Sequence, residues 1–147
     1  MTQNSQKEAQ IPSGGTATEP RDPVTARILK AFFDTYNAHG WGFFEAVYKR
    51  ALMVELRHLG ATVAEELRTP IYHRGVKVGD YYADLVVDDV VIVECKVAER
   101  IIPAHRAQVL NYLKATPYEV GLILNFGEKP TFERLILSNG RKGGRRA

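Results

Sequence analysis

The alternation of apolar and polar residues divides the chain into one featureless stretch and a run of regular elements. Residues 1–21 are rich in Gln, Ser, Thr, Gly and Pro with almost no periodic apolar pattern, and they are expected to form a disordered N-terminal tail. Such a composition cannot bury enough surface to offset the entropy of ordering. Order begins at Asp22-Pro23, which reads as an N-cap followed by proline at the first helical position. Ile28, Ala31, Phe32 and Thr35 then recur at helical spacing, predicting a helix that ends near His39-Gly40. A second helix is predicted from about Phe43 to Leu59. Phe44, Val47, Tyr48, Ala51, Leu52, Leu56 and Leu59 form its apolar face, and Gly60 is its C-terminal stop.

Beyond Gly60 the period changes from helix to strand. A short strand is predicted around Thr62 to Leu67, then IYHRGVKV, in which Arg74-Gly75 marks a tight hairpin turn. YYADLVV and VVIVECKV follow, separated by Asp88-Asp89. Both are apolar on both faces apart from a few acids and one lysine, as in strands covered by helices on either side. A helix from about Pro103 to Ala115, the buried strand GLILNF and a last strand at ERLILS complete the set. Helices, an antiparallel meander, then a helix and strand predict an α/β fold, an α/β/α sandwich around a central mixed sheet.

Composition changes this picture little. The 147 residues, 45% of them apolar, suit one domain with a real core, placed at residues 22–138. No run approaches the roughly 18 apolar residues of a membrane span, and the N-terminus lacks the apolar core of a signal peptide. A cytoplasmic protein with no membrane partner is therefore expected. The single cysteine, Cys95, cannot form an internal disulfide, and with four scattered histidines it makes no zinc-ligand spacing. The net charge of +3 invites a nucleic-acid partner, but its location weakens the inference. Six of the 20 Lys and Arg and three of the 17 Asp and Glu lie outside residues 25 to 140, leaving 14 of each inside. The excess sits in RKGGRRA, within a basic flexible C-terminal tail expected over 139–147.

The chemistry is carried by three residues that do not belong in their strands. Asp84 lies in the first central strand, and Glu94 and Lys96 in the second, among Val, Ile and Leu. Burying such groups without partners costs several kcal/mol each. Glu94 and Lys96, two apart, share a face. Whether Asp84 joins them depends on the turn. A two-residue loop at Asp88-Asp89 would pair 87 with 90 and set Asp84 opposite Val93, with the carboxylates on opposite sides. A three-residue loop at Asp88, Asp89 and Val90, or a bulge, would pair 84 with 94, with Cβ atoms about 5 Å apart. The odd loop or bulge is predicted.

Hard oxygen ligands without His or Cys select Mg2+ or Mn2+, ions that keep several waters and favour phosphate oxygens as co-ligands. Such an ion polarises a phosphate, generates a hydroxide-like nucleophile and offsets charge on the leaving oxygen. Lys96 beside the carboxylates would position the attacking water or stabilise the transition-state charge. A buried ion pair of one acid with Lys96, without any metal, explains the same residues equally well at this level.

The wider pattern is more specific. Gly42-Phe-Phe-Glu45-Ala-Val-Tyr48, YYADLVV, VIVECKV, the helix AQVLNYLKAT and GLILNFG together resemble the GxxExxY protein family, a branch of the PD-(D/E)xK nuclease superfamily, over roughly residues 26 to 135. The resemblance implies a restriction-endonuclease-like core in which Asp84 and Glu94 bind the metal, the main-chain carbonyl of Cys95 is a further ligand and Lys96 is catalytic. It also implies that Glu45, on the preceding helix, joins the metal site. Gln108 and Tyr112 share a helix face and match a QxxxY motif that lies near the scissile strand in several nuclease branches. Tyr48 is expected to pack and to hydrogen-bond Glu45, and His105 to be structural. Ala83 stands where the superfamily has its proline, and Cys95 where an aliphatic residue is usual. A Mg2+- or Mn2+-dependent nuclease acting on nucleic acid, on DNA in preference to RNA, is the implied activity, possible as a homodimer since a neutral domain offers few basic contacts. The competing reading is a catalytically weak nucleic-acid- or partner-binding module that retains the nuclease fold.

Overall fold

The computed structural model describes residues 22–143; the expected N-terminal tail and Arg145-Arg146 lie outside them. The first helix, α1, spans Pro23–His39. Asp22 caps it as expected, its carboxylate accepting from the Thr25 N–H at 2.7 Å and hydroxyl at 2.8 Å, and it also holds Arg134 at 2.9 Å. The second helix, α2, spans Glu45–His58 and starts two residues later than its apolar pattern suggests. Gly42 has φ +115 and Phe44 is extended, so the chain enters the helix only at Glu45.

Five strands follow in a sheet of order β1-β2-β3-β4-β5: β1 at Val63–His73, β2 at Val76–Val87, β3 at Val91–Lys96, β4 at Val120–Asn125 and β5 at Thr131–Ile136. A third helix, α3 at Pro103–Ala115, crosses from β3 to β4, the one parallel pair; the other neighbours are antiparallel, so the sheet is mixed. The segment predicted around Thr62 to Leu67 and the IYH before the Arg74-Gly75 turn are one strand running through Pro70, while VKV after the turn opens β2. Proline survives there because β1 is an edge strand and need not donate on its open side. The Arg74-Gly75 turn forms as predicted, both residues having positive φ (50 and 78) and joining the His73 and Val76 pair.

Helices cover both faces, giving the expected α/β/α sandwich of the restriction-endonuclease-like fold. Under α1 and α2 lie Leu85, Val87, Val91, Val93, Cys95, Leu122 and Leu124. Phe126 is the centre of that layer, with the Phe32 ring edge-on at 4.8 Å and the Tyr48 ring stacked at 4.7 Å. Under α3 lie Ala83, Val86, Ile92, Ile123, Val109, Tyr112 and Leu113. Gly121 lets α3 approach β4, since a Cβ there would stand 2.5 Å from a Val109 methyl. No helix among the described residues is long and apolar enough to cross a membrane.

Residues 139–143, read from the sequence as the start of a flexible tail, are tied down. Asn139–Arg141 form a short 3-10 turn, and the Lys142 ammonium donates to the carbonyls of Thr116 and Tyr118, both at 2.7 Å. Those carbonyls, in the segment just after α3, offer a cation partners that charge counting does not reveal.

Candidate active site

The turn between β2 and β3 decides where the acids meet. Val87 pairs with Val91, Val86 with Ile92 and Leu85 with Val93, so Asp88, Asp89 and Val90 form the three-residue loop that sets 84 opposite 94. Asp88 and Asp89 occupy left-handed backbone (φ 51 and 53), which short polar side chains tolerate. Both carboxylates are bound locally: Asp88 accepts from Thr62 N–H and hydroxyl and from Arg27, and Asp89 accepts from the Tyr118 hydroxyl at 2.6 Å. These two acids fix the register and take no further part.

At Asp84 the two strands part. Leu85 packs under α1 and α2, whereas Ala83 packs with the α3 layer, so β2 rolls over between them. The Asp84 side chain then substitutes for the missing backbone partner: its Oδ2 accepts from the Cys95 N–H at 2.8 Å. The Asp84 N–H in turn faces Glu94 Oε1 at 3.4 Å. The two carboxylates therefore converge in the notch between β2 and β3. The N–H and carbonyl of an extended residue leave a strand on the same edge, so the Cys95 carbonyl opens on the Asp84 side as well. The Cys95 thiol points the other way, into the α1 and α2 layer, where it is fully buried and its pKa is raised by desolvation.

Electrostatics mark the pair. Glu94 is 5% exposed, and burial first, then the Asp84 charge and a hydrogen bond to it, push its carboxyl up to about 8, against the pull of Lys96. Glu45 stands at the solvent-facing first turn of α2; partial desolvation and the Asp84 charge raise its carboxyl, with Lys96 and Lys49 acting against them. Lys96 ends β3 half-buried, its ammonium donating to Gln108 Oε1 of α3 at 3.0 Å. Asp84, Glu94, Lys96, Gln108 and, at longer range, Glu45 are thus gathered at one notch. Among the described residues no three His, Cys, Asp or Glu side chains meet closely enough to hold an ion by themselves. The acids that come closest there are the pair Asp84 and Glu94.

Tyr48 and Tyr112 stand apart from it. The fully buried Tyr48 hydroxyl donates to the Gly40 carbonyl at 2.5 Å and accepts from the Phe43 N–H at 3.3 Å, not from any group of Glu45. Its expected bond to Glu45 is absent because the ring is stacked on Phe126 and the hydroxyl is engaged by Gly40 and Phe43. Tyr112 lies in the α3 core, its hydroxyl directed at the Leu67 carbonyl at 3.5 Å, so it braces β1 rather than facing a substrate. His105 Nδ1 accepts the Ile102 N–H at 3.2 Å and closes the first turn of α3, a structural role as expected.

One positioning residue escapes a reading of the sequence. Asn125 is fully buried at the end of β4, where its Oδ1 accepts from the Ala98 N–H and its Nδ2 donates to the Ala98 carbonyl, both at 2.9 Å. This two-bond clamp fixes the segment that follows Lys96. The available signal was an amide inside the otherwise apolar GLILNF. Asn125→Leu is expected to lower stability by about 2–4 kcal/mol, because it orphans a buried donor and acceptor, and thermal or denaturant unfolding would measure it.

No curated protein matches the chain. Among solved structures, that of SSO0001 is similar over 78% of this chain and 77% of its own, with 15% identity and a TM-score of 0.43. Residues 22–135, which contain every element from α1 to β5 except its last residue, match the profile of the PD-(D/E)XK nuclease superfamily, and the chain belongs to that superfamily.

Proposed function

We propose that this protein is a divalent-metal-dependent nuclease of the GxxExxY branch that hydrolyses phosphodiester bonds, DNA in preference to RNA, with Asp84 and Glu94 holding Mg2+ or Mn2+. The observation that carries the reading is the convergence of Asp84 and Glu94, brought opposite each other by the three-residue loop, beside the Lys96 ammonium. The donor set fits. The Glu94 carboxyl is raised because it is buried and stands beside the Asp84 charge, a surplus of negative charge that a hard cation would match. Two carboxylates suffice for an ion that completes its shell with waters and substrate phosphate.

Bound there, the cation supplies charge neutralisation at the phosphate and a more acidic water. The protein's own residues do the rest. The Asp84 carboxylate is locked by the Cys95 N–H, so its free oxygen is held in one orientation. The Cys95 carbonyl, on the same edge, is the further oxygen donor of this reading. Lys96, steered by Gln108, directs an ammonium towards the notch, where it orients the attacking water or offsets charge growing on the phosphate. Glu45, with its raised carboxyl, is positioned to accept and return a proton at the rim or to add a ligand oxygen.

Labelled single- and double-stranded DNA and RNA incubated with Mg2+ or Mn2+, against a chelator control, test the reading. Wild-type protein is expected to cleave at least one of them only with metal, and Lys96→Ala to cleave about 100- to 1000-fold more slowly, the usual cost of one lost charge-stabilising donor. Equal rates in the two proteins would remove the enzyme reading and leave a binding module.

A further inference from the structure

We propose that the groove beside Trp41 binds an unpaired nucleobase, so that the substrate of this nuclease is single-stranded or flapped rather than continuous duplex; this rests on the nuclease reading above. The loop joining α1 to α2 exposes three aromatic rings immediately before Glu45: Trp41 at 55%, Phe43 at 46% and Phe44 at 86%. Contiguous exposed apolar surface of this kind marks an interaction site. The loop that carries them is anchored at Gly40 and Phe43. Tyr48 ties the loop through Gly40 and Phe43, and the Phe43 ring meets those of His39 and Tyr48 edge-on, each at 6.0 Å.

Trp41 lines an open cavity of about 490 Å3 together with Val97, Ala98, Glu99, Glu128 and Lys129. That is the volume of a small-ligand site and ample for a nucleotide. One wall, Val97 to Glu99, follows Lys96 directly in the chain, and Trp41 lies four positions before Glu45, which ties the groove to the elements that carry the notch. Its chemistry is that of a base rather than a backbone. The indole face offers stacking, Glu99 and Glu128 offer acceptors to base amino groups, and Lys129 is the cation left for a phosphate. Paired bases have their faces covered by neighbours and their edges engaged, so only an unpaired base can use such a groove.

Charge points the same way. Duplex binding draws on many phosphate contacts, yet much of the basic surface is occupied internally. Arg27 pairs with Asp88, Arg106 with Glu133, Arg134 with Asp22 and Lys77 with Asp80, while Arg68 lies over the Tyr82 ring. Stacking is then the principal source of affinity.

Trp41 is the chain's only tryptophan, so tryptophan emission, excited at wavelengths the seven tyrosines do not absorb, reads this groove alone. Full-length protein carrying Lys96→Ala, in chelator to prevent cleavage, is titrated with oligothymidylate, with an abasic strand of equal length and with duplex. Oligothymidylate is expected to quench the emission with weak salt dependence, whereas the abasic strand and duplex leave it unchanged. By anisotropy of the labelled strand, Trp41→Ala should bind about tenfold more weakly and Trp41→Phe nearly as well as wild type. Quenching that is absent, equal for all three nucleic acids, or driven by protein concentration alone would overturn the proposal, the last marking a contact between copies. Quenching without any cleavage by wild type would instead remove only the nuclease reading, and cleavage without quenching only the groove.

Discussion

Asp84→Asn is expected to lower metal-dependent cleavage by roughly 1000-fold, about 4 kcal/mol at the transition state, while the metal-free variant melts at a higher temperature than wild type at pH 8 and above. The two effects have one origin. The substituted amide keeps a side-chain oxygen that can accept the Cys95 N–H, so the bond that seats this residue between the strands survives. What disappears is the negative charge that, after burial, contributes most to raising the Glu94 carboxyl. Without metal that charge only repels Glu94, and its removal relieves strain once Glu94 is ionised. With metal it is half of the proposed ligand pair. Cleavage assays and melting curves on the same samples measure both. A variant that lost activity and stability together would indicate a merely structural Asp84, the outcome an internal ion pair with Lys96 would produce.

The sequence reveals the placement of Asp84 and Glu94 through a conflict between burial and charge. Two acids and a lysine in strands of Val, Ile and Leu require a common pocket, and that requirement in turn requires an odd-numbered turn. The loop at Asp88, Asp89 and Val90 has that length. The layers are legible for a similar reason: strands apolar on both faces need cover on both faces. Contacts between distant segments are not legible. Pro70 reads as a strand break, because nothing local announces that β1 is an edge where a missing N–H costs little. Helical spacing sets Tyr48 beside Glu45, yet the Gly40 carbonyl, eight residues earlier, is the partner that the loop folds onto it. Asn125 and Ala98 are 27 residues apart and meet only because β3 and β4 are parallel neighbours. Lys142 looks like tail charge until the segment after α3 supplies the Thr116 and Tyr118 carbonyls. Helical spacing sets Phe44 on the apolar face of the second helix, yet it stands before the first turn and is exposed, as are Trp41 and Phe43 beside it.

Metal-free protein is expected to lose stability as the pH rises from about 5 to about 9, and Mg2+ or Mn2+ to restore it at the alkaline end but not at the acid end. Glu94 has an ordinary value of 4.5 and sits at about 8 in the fold. Across that interval the folded chain holds a proton that the unfolded chain has released, so by linkage folding weakens with rising pH. The contribution is fully present below the ordinary value and gone once the pH passes the folded one. Glu45, also raised, acts in the same sense, while His105, lowered by desolvation and by the charges of Lys96 and Arg106, acts in the opposite one. Glu94 dominates because it is the buried member. A fall in melting temperature of at least about 5 °C is expected, since 1 kcal/mol moves the midpoint of a domain this size by roughly 4 °C. Glu94→Gln mimics the protonated acid permanently, so its melting temperature should stay level across the interval and gain nothing from metal. A pH-independent wild type, or a Glu94→Gln variant that still follows the wild-type slope, would mean that the two carboxylates do not share a pocket, and the proposed metal site would fall with them.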